Sequence, residues 1–206
     1  NIIPWRMLCN ATGATLKIIP ISESGDIIIS EFERLLNPRT KIVAVSHVSN
    51  VLGTRNPVES ICNIAKAHGA TTLIDGAQSA VHIPINIQDM DADFFVCSAH
   101  KMYGPTGLGV LCGRKELLER MPPYQTGSGM VESIKNDTIT WRDLPAKYEA
   151  GTPHITGAIG LSAALEYLNT IGMDTIANYE RNLISYACEA LSSIKGLHII
   201  GNPKER

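Results

Sequence analysis

The sequence predicts an α/β fold in which a mostly parallel sheet carries helices on both faces. Short runs of β-branched and aromatic residues, such as 41–46 and 94–97, alternate with segments of helical periodicity, such as 57–68. This alternation is typical of parallel strands joined by helical crossovers. A chain of 206 residues, 44% of them hydrophobic, is long enough to bury one full core.

Five runs predict strands because they are apolar or β-branched and are bounded by Gly, Pro or polar residues. They are residues 15–20, 41–46, 71–75, 94–97 and 107–112. The run KIVAVS at 41–46 has the β-branched composition of a buried parallel strand. A further strand is expected at 197–200, and the stretch 121–141 is expected to be irregular.

Helices are predicted where apolar residues recur at helical spacing next to residues that begin or end helices. They are a first helix ending at Gly13, then 31–36, 57–68, 156–171 and a longer helix from Asp174 to about residue 194. Ser30 and Glu33 form a candidate capping box at the start of the second helix. These helices would join the strands and cover the sheet.

Composition and charge argue against two classes of function. A formal net charge of −2, with no basic run, gives no electrostatic attraction to nucleic acid. No apolar segment approaches the roughly 20 residues that a membrane helix requires. The five cysteines lack disulfide or metal spacing, so they predict buried free thiols in a reducing compartment, the cytoplasm or an organelle matrix.

The clearest chemistry follows the strand at 94–97. Lys101 stands in the run SAHK directly after this strand and before a turn rich in Gly and Pro. A lysine in an apolar setting reacts with carbonyl groups, because burial lowers the cost of its neutral form. The alternative is an exposed lysine after a strand, and SAHK alone does not decide between the two.

A second reactive residue, Asp75, ends the strand at 71–75. A carboxylate at the carboxyl end of a strand points into the crevice where α/β proteins bind ligands, so Asp75 and Lys101 would share one pocket. Enzymes that use pyridoxal phosphate need this pair. The amine binds the cofactor's aldehyde, and the carboxylate keeps its pyridine nitrogen protonated.

Four motifs give the sequence a resemblance to a known family. DGAQ at 75–78, SAHKMYGPTGLG at 98–109, HVSNVLGT at 47–54 and EAGTP at 149–153 resemble motifs of the class V aminotransferases, which have the type I fold of pyridoxal phosphate enzymes. Within that family they are most similar to the cysteine desulfurases of the sulfur-mobilisation type that also acts on selenocysteine. The resemblance covers essentially the whole chain, in order and with matching spacing.

The resemblance implies three further cofactor contacts. Gln78 would hydrogen-bond the phenolate oxygen of the cofactor ring. Ser98 and His100 would bind the cofactor phosphate through charge-assisted hydrogen bonds. A lone histidine before a lysine is more often structural, and within this spacing we expect the phosphate contact instead.

Two loop residues are implied to complete the site. Asn50 would contact the substrate carboxylate, although an asparagine in such a loop is equally suited to a turn. Thr152 would contact the phosphate of the cofactor in the partner subunit, so the active site would require a homodimer. The alternative for Thr152 is a helix-entry residue. His47 is expected to be a polar residue that supports the loop.

The resemblance also implies that the sequence is a fragment of a protein about twice as long. Residues 1–194 would form most of the pyridoxal phosphate-binding large domain without its amino-terminal part, and 195–206 the start of a truncated small carboxyl-terminal domain. The nucleophilic cysteine and the arginines that bind the substrate carboxylate would lie in the missing part, and none of the five cysteines present matches that motif. The fragment by itself is therefore expected to be inactive.

The implied activity is conversion of L-cysteine to L-alanine, with the sulfur passed as a persulfide to an acceptor protein for iron–sulfur cluster assembly. A selenocysteine lyase or another class V aminotransferase is the alternative within the family, and the missing thiol loop would decide. An alternative of another class is a catalytically silent dimerisation or interaction domain. Cofactor absorbance without sulfide release would favour that alternative.

Overall fold

The computed structural model describes residues 2–136 and 138–201 and has an α/β architecture. In chain order the elements are α1 (Ile3–Thr12), α2 (Ile29–Leu35), β1 (Ile42–Ser46), α3 (Val58–Ala67), β2 (Thr71–Asp75), α4 (Ser79–His82), α5 (Ile87–Met90), β3 (Phe94–Ser98), β4 (Gly109–Gly113), α6 (Lys115–Arg120), β5 (Val131–Lys135), β6 (Thr138–Trp141), α7 (Ile155–Ile171) and α8 (Met173–Ser192). Two 3₁₀ turns, Ala99–Lys101 and Ala146–Tyr148, lie before β4 and α7.

The main sheet has the strand order β1-β2-β3-β4. β1, β2 and β3 are parallel, with Ser46 opposite Asp75 and Asp75 opposite Val96. β4 is antiparallel to β3, with Gly109 opposite Ser98. The predicted α/β fold with a mostly parallel sheet is therefore confirmed.

The core lies on one face of this sheet, against α2, α3 and α5. Two adjoining clusters of buried side chains fill it. One contains Val58, Cys62, Ile74, Met90, Ala92 and Phe95, and the other contains Phe32, Val43, Ile61, Ala65 and Ala70. Each large apolar side chain buried there contributes about 1.5–3 kcal/mol, so this face holds the strands in place.

A polar network ties the start of β3 to β2. The buried carboxylate of Asp93 accepts hydrogen bonds from Thr72 N at 2.8 Å and Arg114 Nε at 2.9 Å. Asp91, two residues earlier, pairs with Lys66 and Arg114. The hydrogen bond from Lys66, with the charges of both cations, holds the pKa of the Asp91 carboxyl below its usual value. The network fixes the strand that leads to Lys101.

Two predicted features near the amino terminus are wrong. Residues 15–20 do not form a strand, because no strand of the described residues pairs with them. The β-type pairing nearest to them is a single isolated bridge between Ile21 and Ile27. α2 begins at Ile29 with Ile28 as its N-cap, and no side chain caps it, so Ser30 lies inside the first turn and the capping box does not form.

Two predictions for the carboxyl-terminal half are also wrong. The stretch expected to be irregular contains an antiparallel hairpin of β5 and β6. Residues 197–200 form no strand. The helix over 156–171 is confirmed within one residue as α7. Of the region expected to begin a second domain, residues 202–206 lie outside the described part.

No helix in the described ranges is long and apolar enough to cross a membrane. All five cysteines are free; Cys62 is buried and the other four are half-buried.

Candidate functional site

The carboxyl ends of the three parallel strands meet at one edge of the sheet, at Ser46, Asp75 and Ser98. Backbone hydrogen bonds continue past these ends. His47 N donates to Asp75 O at 2.8 Å, and Gly76 N donates to Val96 O at 2.8 Å. The residues that follow the strands are therefore collected at the edge where α/β proteins bind ligands.

Asp75 and Gln78 occupy the turn that leaves β2. The Asp75 carboxylate is half-buried, and its Oδ1 accepts a hydrogen bond from Ala77 N at 3.0 Å. This contact orients the carboxylate at the strand end. Gln78 is half-buried as well and directly precedes α4.

Gly76 is a residue whose importance the sequence did not reveal. A Cβ atom added at this position would lie 1.9 Å from Cζ of Phe95, a buried core residue. Only glycine therefore allows the chain to leave β2 against the Phe95 ring. A glycine directly after a strand-ending carboxylate is the available sequence signal, but it does not name the ring that requires it.

Lys101 ends the 3₁₀ turn that follows β3 and is half-buried. The turn is closed by Met102 N and Gly104 N, which both donate to Ala99 O at 2.9 Å. Ser98, at the end of β3, has its Oγ 2.9 Å from His100 Nδ1. A hydroxyl, an imidazole and an amine thus stand within four consecutive residues at the sheet edge.

Asn50 and Thr152 lie on two separate loops, and both are exposed. The Asn50 loop is closed by a hydrogen bond from Gly53 N to Ser49 O at 3.1 Å. In the part of the chain that the structure describes, neither side chain hydrogen-bonds another predicted site residue. The structure therefore places the residues after β2 and β3 at one sheet edge and shows no hydrogen bond that joins Asn50 or Thr152 to them.

A cavity of about 870 Å³ runs along β1 and reaches the end of β2. Asp75, Ser46 and Leu73 line it from the strands, and Trp5 and Leu8 line it from α1. Lys101 is not among its lining residues. Drug-sized ligands occupy cavities of about 300–1,000 Å³, so the cavity beside Asp75 has room for a cofactor.

The residues at this edge fit pyridoxal phosphate. Lys101 offers an amine to an aldehyde, and Asp75 offers an oriented carboxylate to a pyridine nitrogen. Ser98 and His100 offer a hydroxyl and an imidazole to a phosphate. A lysine for the aldehyde and a carboxylate for the ring nitrogen are the pair by which proteins hold this cofactor.

His47, directly after β1, is 2% exposed, and its Nδ1 has no hydrogen-bond partner among the described residues. Burial, with a smaller effect of the Arg55 charge, lowers its pKa from 6.5 to about 4. Its backbone donates to Asp75 O and accepts from Asn56 N, each at 2.8 Å. His47 thus supports the loop, as expected, in its neutral form.

The lowered pKa of His47 predicts that the protein loses stability as the pH falls from 6.5 to about 4. In this window the unfolded imidazole binds a proton and the folded one does not, so protonation favours unfolding. The full shift corresponds to about 3 kcal/mol. Urea unfolding of wild type and of His47→Gln across this window checks it, with exposed His68→Gln as the control. An identical pH dependence in wild type and His47→Gln would contradict the prediction.

The comparisons with known proteins identify the family of the chain. The family model for aminotransferase class V matches residues 1–206. A probable cysteine desulfurase of Halalkalibacterium halodurans is 50% identical over 204 residues, which are 99% of this chain and 50% of the relative. A cysteine desulfurase of Shigella sonnei is 44% identical over 207 residues, covering 100% of this chain and 51% of the relative.

Solved structures are similar over the same extent. A crystal structure of a cysteine desulfurase from Escherichia coli superposes with a TM-score of 0.91 at 39% identity, covering 95% of this chain and 49% of that one. The apo cysteine desulfurase from Thermococcus onnurineus gives a TM-score of 0.88 at 35% identity, over 98% of this chain and 52% of that one. The chain spans about half the length of these relatives. Because the family model matches every residue from 1 to 206, the chain belongs to the class V aminotransferase family.

Proposed function

We propose that this chain is the cofactor-binding part of a pyridoxal phosphate-dependent cysteine desulfurase. The observation that carries the proposal is the edge formed by β2 and β3, where Asp75 ends one strand and Lys101 follows its parallel neighbour. The relatives named cysteine desulfurases, at 44–50% identity, support it.

Bound pyridoxal phosphate would supply an electron sink for the electrons released when the substrate loses its Cα proton. Lys101 Nζ would hold the cofactor's aldehyde carbon before substrate arrives and then take the Cα proton. Asp75 would keep a proton on the pyridine nitrogen through the carboxylate that Ala77 N orients. Gln78 would donate to the ring's phenolate oxygen.

Phosphate and substrate would be held by the remaining predicted residues. Ser98 Oγ and His100 are 2.9 Å apart and could bind the same phosphate. Asn50 would bind the substrate carboxylate from the loop after β1. Thr152 would reach the phosphate in a partner subunit, which makes the working enzyme a homodimer.

For the whole protein we propose conversion of L-cysteine to L-alanine, with the sulfur delivered as a persulfide to an acceptor protein for iron–sulfur cluster assembly. The large cofactor-binding domain would extend to residue 194, and residues 195–206 would begin the second domain. The enzyme would work in the cytoplasm, where thiols stay reduced.

The test is to add pyridoxal phosphate to the purified protein, reduce with borohydride and map the modified lysine by mass spectrometry. We expect one adduct, on Lys101, because it directly follows β3, whose parallel neighbour β2 ends at Asp75, and the other lysines serve as the internal comparison. Adducts spread over several lysines, or none, would contradict an organised cofactor site. An adduct without conversion of added cysteine by the intact protein would favour a silent binding domain.

A further inference from the structure

The 3₁₀ turn before the Thr152 loop is fastened to the end of α6 by two side chains. Lys147 Nζ donates to Leu118 O at 3.1 Å and to Glu119 O at 2.7 Å. The hydroxyl of Tyr148 lies 2.6 Å from Leu118 O and 2.9 Å from Met121 O. Carbonyls at a helix end have no N–H partner within the helix, so these side chains satisfy groups that need one.

The chemistry of this anchor pair, Lys147 and Tyr148, suits the position. An ammonium at a helix C-terminus interacts favourably with the negative end of the helix dipole. Lys147 Nζ also lies 5.4 Å from the centroid of the Tyr148 ring, within cation–π range. Burial raises the pKa of Tyr148, so its hydroxyl keeps the proton that it donates.

A second attachment holds the same loop three residues after Tyr148. Gly151 N donates to Ser128 O at 2.9 Å, and a Cβ atom added to Gly127 would lie 3.1 Å from Gly151 N. Only Glu149 and Ala150 separate the two attachments, and Thr152 follows immediately. The position of Thr152 is therefore set by two attachments that directly precede it in the chain.

The anchor connects this loop to the sheet that carries Lys101. α6 begins two residues after β4, and β4 pairs with β3 along its whole length. A displacement of the anchor pair would therefore shift the Thr152 loop relative to the Lys101 turn.

We propose that Lys147 and Tyr148 are positioning residues, which place the Thr152 loop for contact with the phosphate of the partner subunit's cofactor. The proposal rests on the proposed function, because it takes Thr152 as the phosphate contact. Both would act through the backbone between residues 148 and 152, because their polar groups are bound to carbonyls of residues 118–121.

The first test measures the loop directly. In Tyr148→Phe and Lys147→Met, a glutamate-specific protease should cut after exposed Glu149 about tenfold faster than in wild type, because a lost hydrogen bond raises the open population by that order. Tyr124→Phe, with a ring 96% exposed, and Lys135→Met, in an exposed hairpin, are the matched controls. Unchanged cleavage in both anchor variants would overturn the proposal.

The second test separates positioning from general loosening. Binding of pyridoxal phosphate and of pyridoxal, which lacks the phosphate, is compared in each variant of the intact protein by yield of the borohydride-trapped Lys101 adduct. We expect about tenfold weaker binding of pyridoxal phosphate in the anchor variants and unchanged binding of pyridoxal. Equal weakening of both would show a merely structural role and overturn the proposal.

The two proposals can fail separately. No Lys101 adduct in wild type, with either compound, contradicts the proposed function, and the cleavage rate at Glu149 then decides whether the anchor holds the loop. A normal wild-type adduct with unaltered phosphate preference in both variants contradicts the positioning role alone.

Discussion

Replacing Lys101 by alanine is expected to abolish the borohydride-trapped adduct and to slow exchange of the substrate Cα hydrogen by about 10²–10⁴-fold. The physical reason is the loss of the amine that follows β3 at the sheet edge where Asp75 ends β2. Exchange is measured by NMR in D₂O with added pyridoxal phosphate and cysteine. Removal of the Cα hydrogen needs no nucleophilic thiol, so the exchange rate reports on the cofactor site by itself.

The matched control for Lys101→Ala is Lys135→Ala, which removes an exposed lysine from β5. It should leave both the adduct and the exchange rate unchanged. In the described structure Lys101 takes part in no ion pair, so the melting temperature of Lys101→Ala should stay close to that of wild type. An adduct that persists in Lys101→Ala would show that another lysine carries the cofactor.

The largest loss of stability is expected for Gly76→Ala, at about 3 kcal/mol or more. The added methyl would overlap three atoms of the Phe95 ring, at 1.9, 2.4 and 2.7 Å. Because Phe95 is packed in the core and 3% exposed, the ring has no free space to enter. The turn would have to move instead, and Asp75 with it. Chemical denaturation gives the free energy of unfolding.

A double-mutant cycle identifies the cause of this loss. In a Phe95→Leu background the ring is absent, so Gly76→Ala should cost much less than it does in wild type. Gly109→Ala is the comparison, because its Cβ would meet only Cys97 O, at 3.2 Å. If the cost of Gly76→Ala is the same in both backgrounds, the contact with Phe95 is not its origin.

The strands that form the site edge could be predicted because their sequences carry the signal alone. The β-branched run at 42–46 and the apolar run at 94–98 end in polar residues where the structure ends the strands. Residues 15–20 have a similar composition and are not a strand, because strand formation also requires a partner strand and no strand of the described residues pairs with them. The amino-acid composition of a segment does not show whether another strand pairs with it.

The hairpin of β5 and β6 was missed for a related reason. Its strands, VESIK and TITW, are short and polar, and Ile134 is 68% exposed, so no apolar face marks them. The contact of Gly76 with Phe95 and the attachment of Tyr148 to α6 were also out of reach. Both join segments far apart in the chain, and their geometry depends on packing rather than on local pattern.

The antiparallel pairing of β3 and β4 has a consequence for how the site is assembled during folding. The chain reverses between Ser98 and Gly109, and closing a loop of about ten residues takes about 10–100 ns. Pairing of β1 with β2 must wait for the longer crossover through α3. Local contacts of this kind form early because they cost little chain entropy. The lysine turn would then be in place before the carboxylate arrives, and docking of β2 would be the step that completes the pocket.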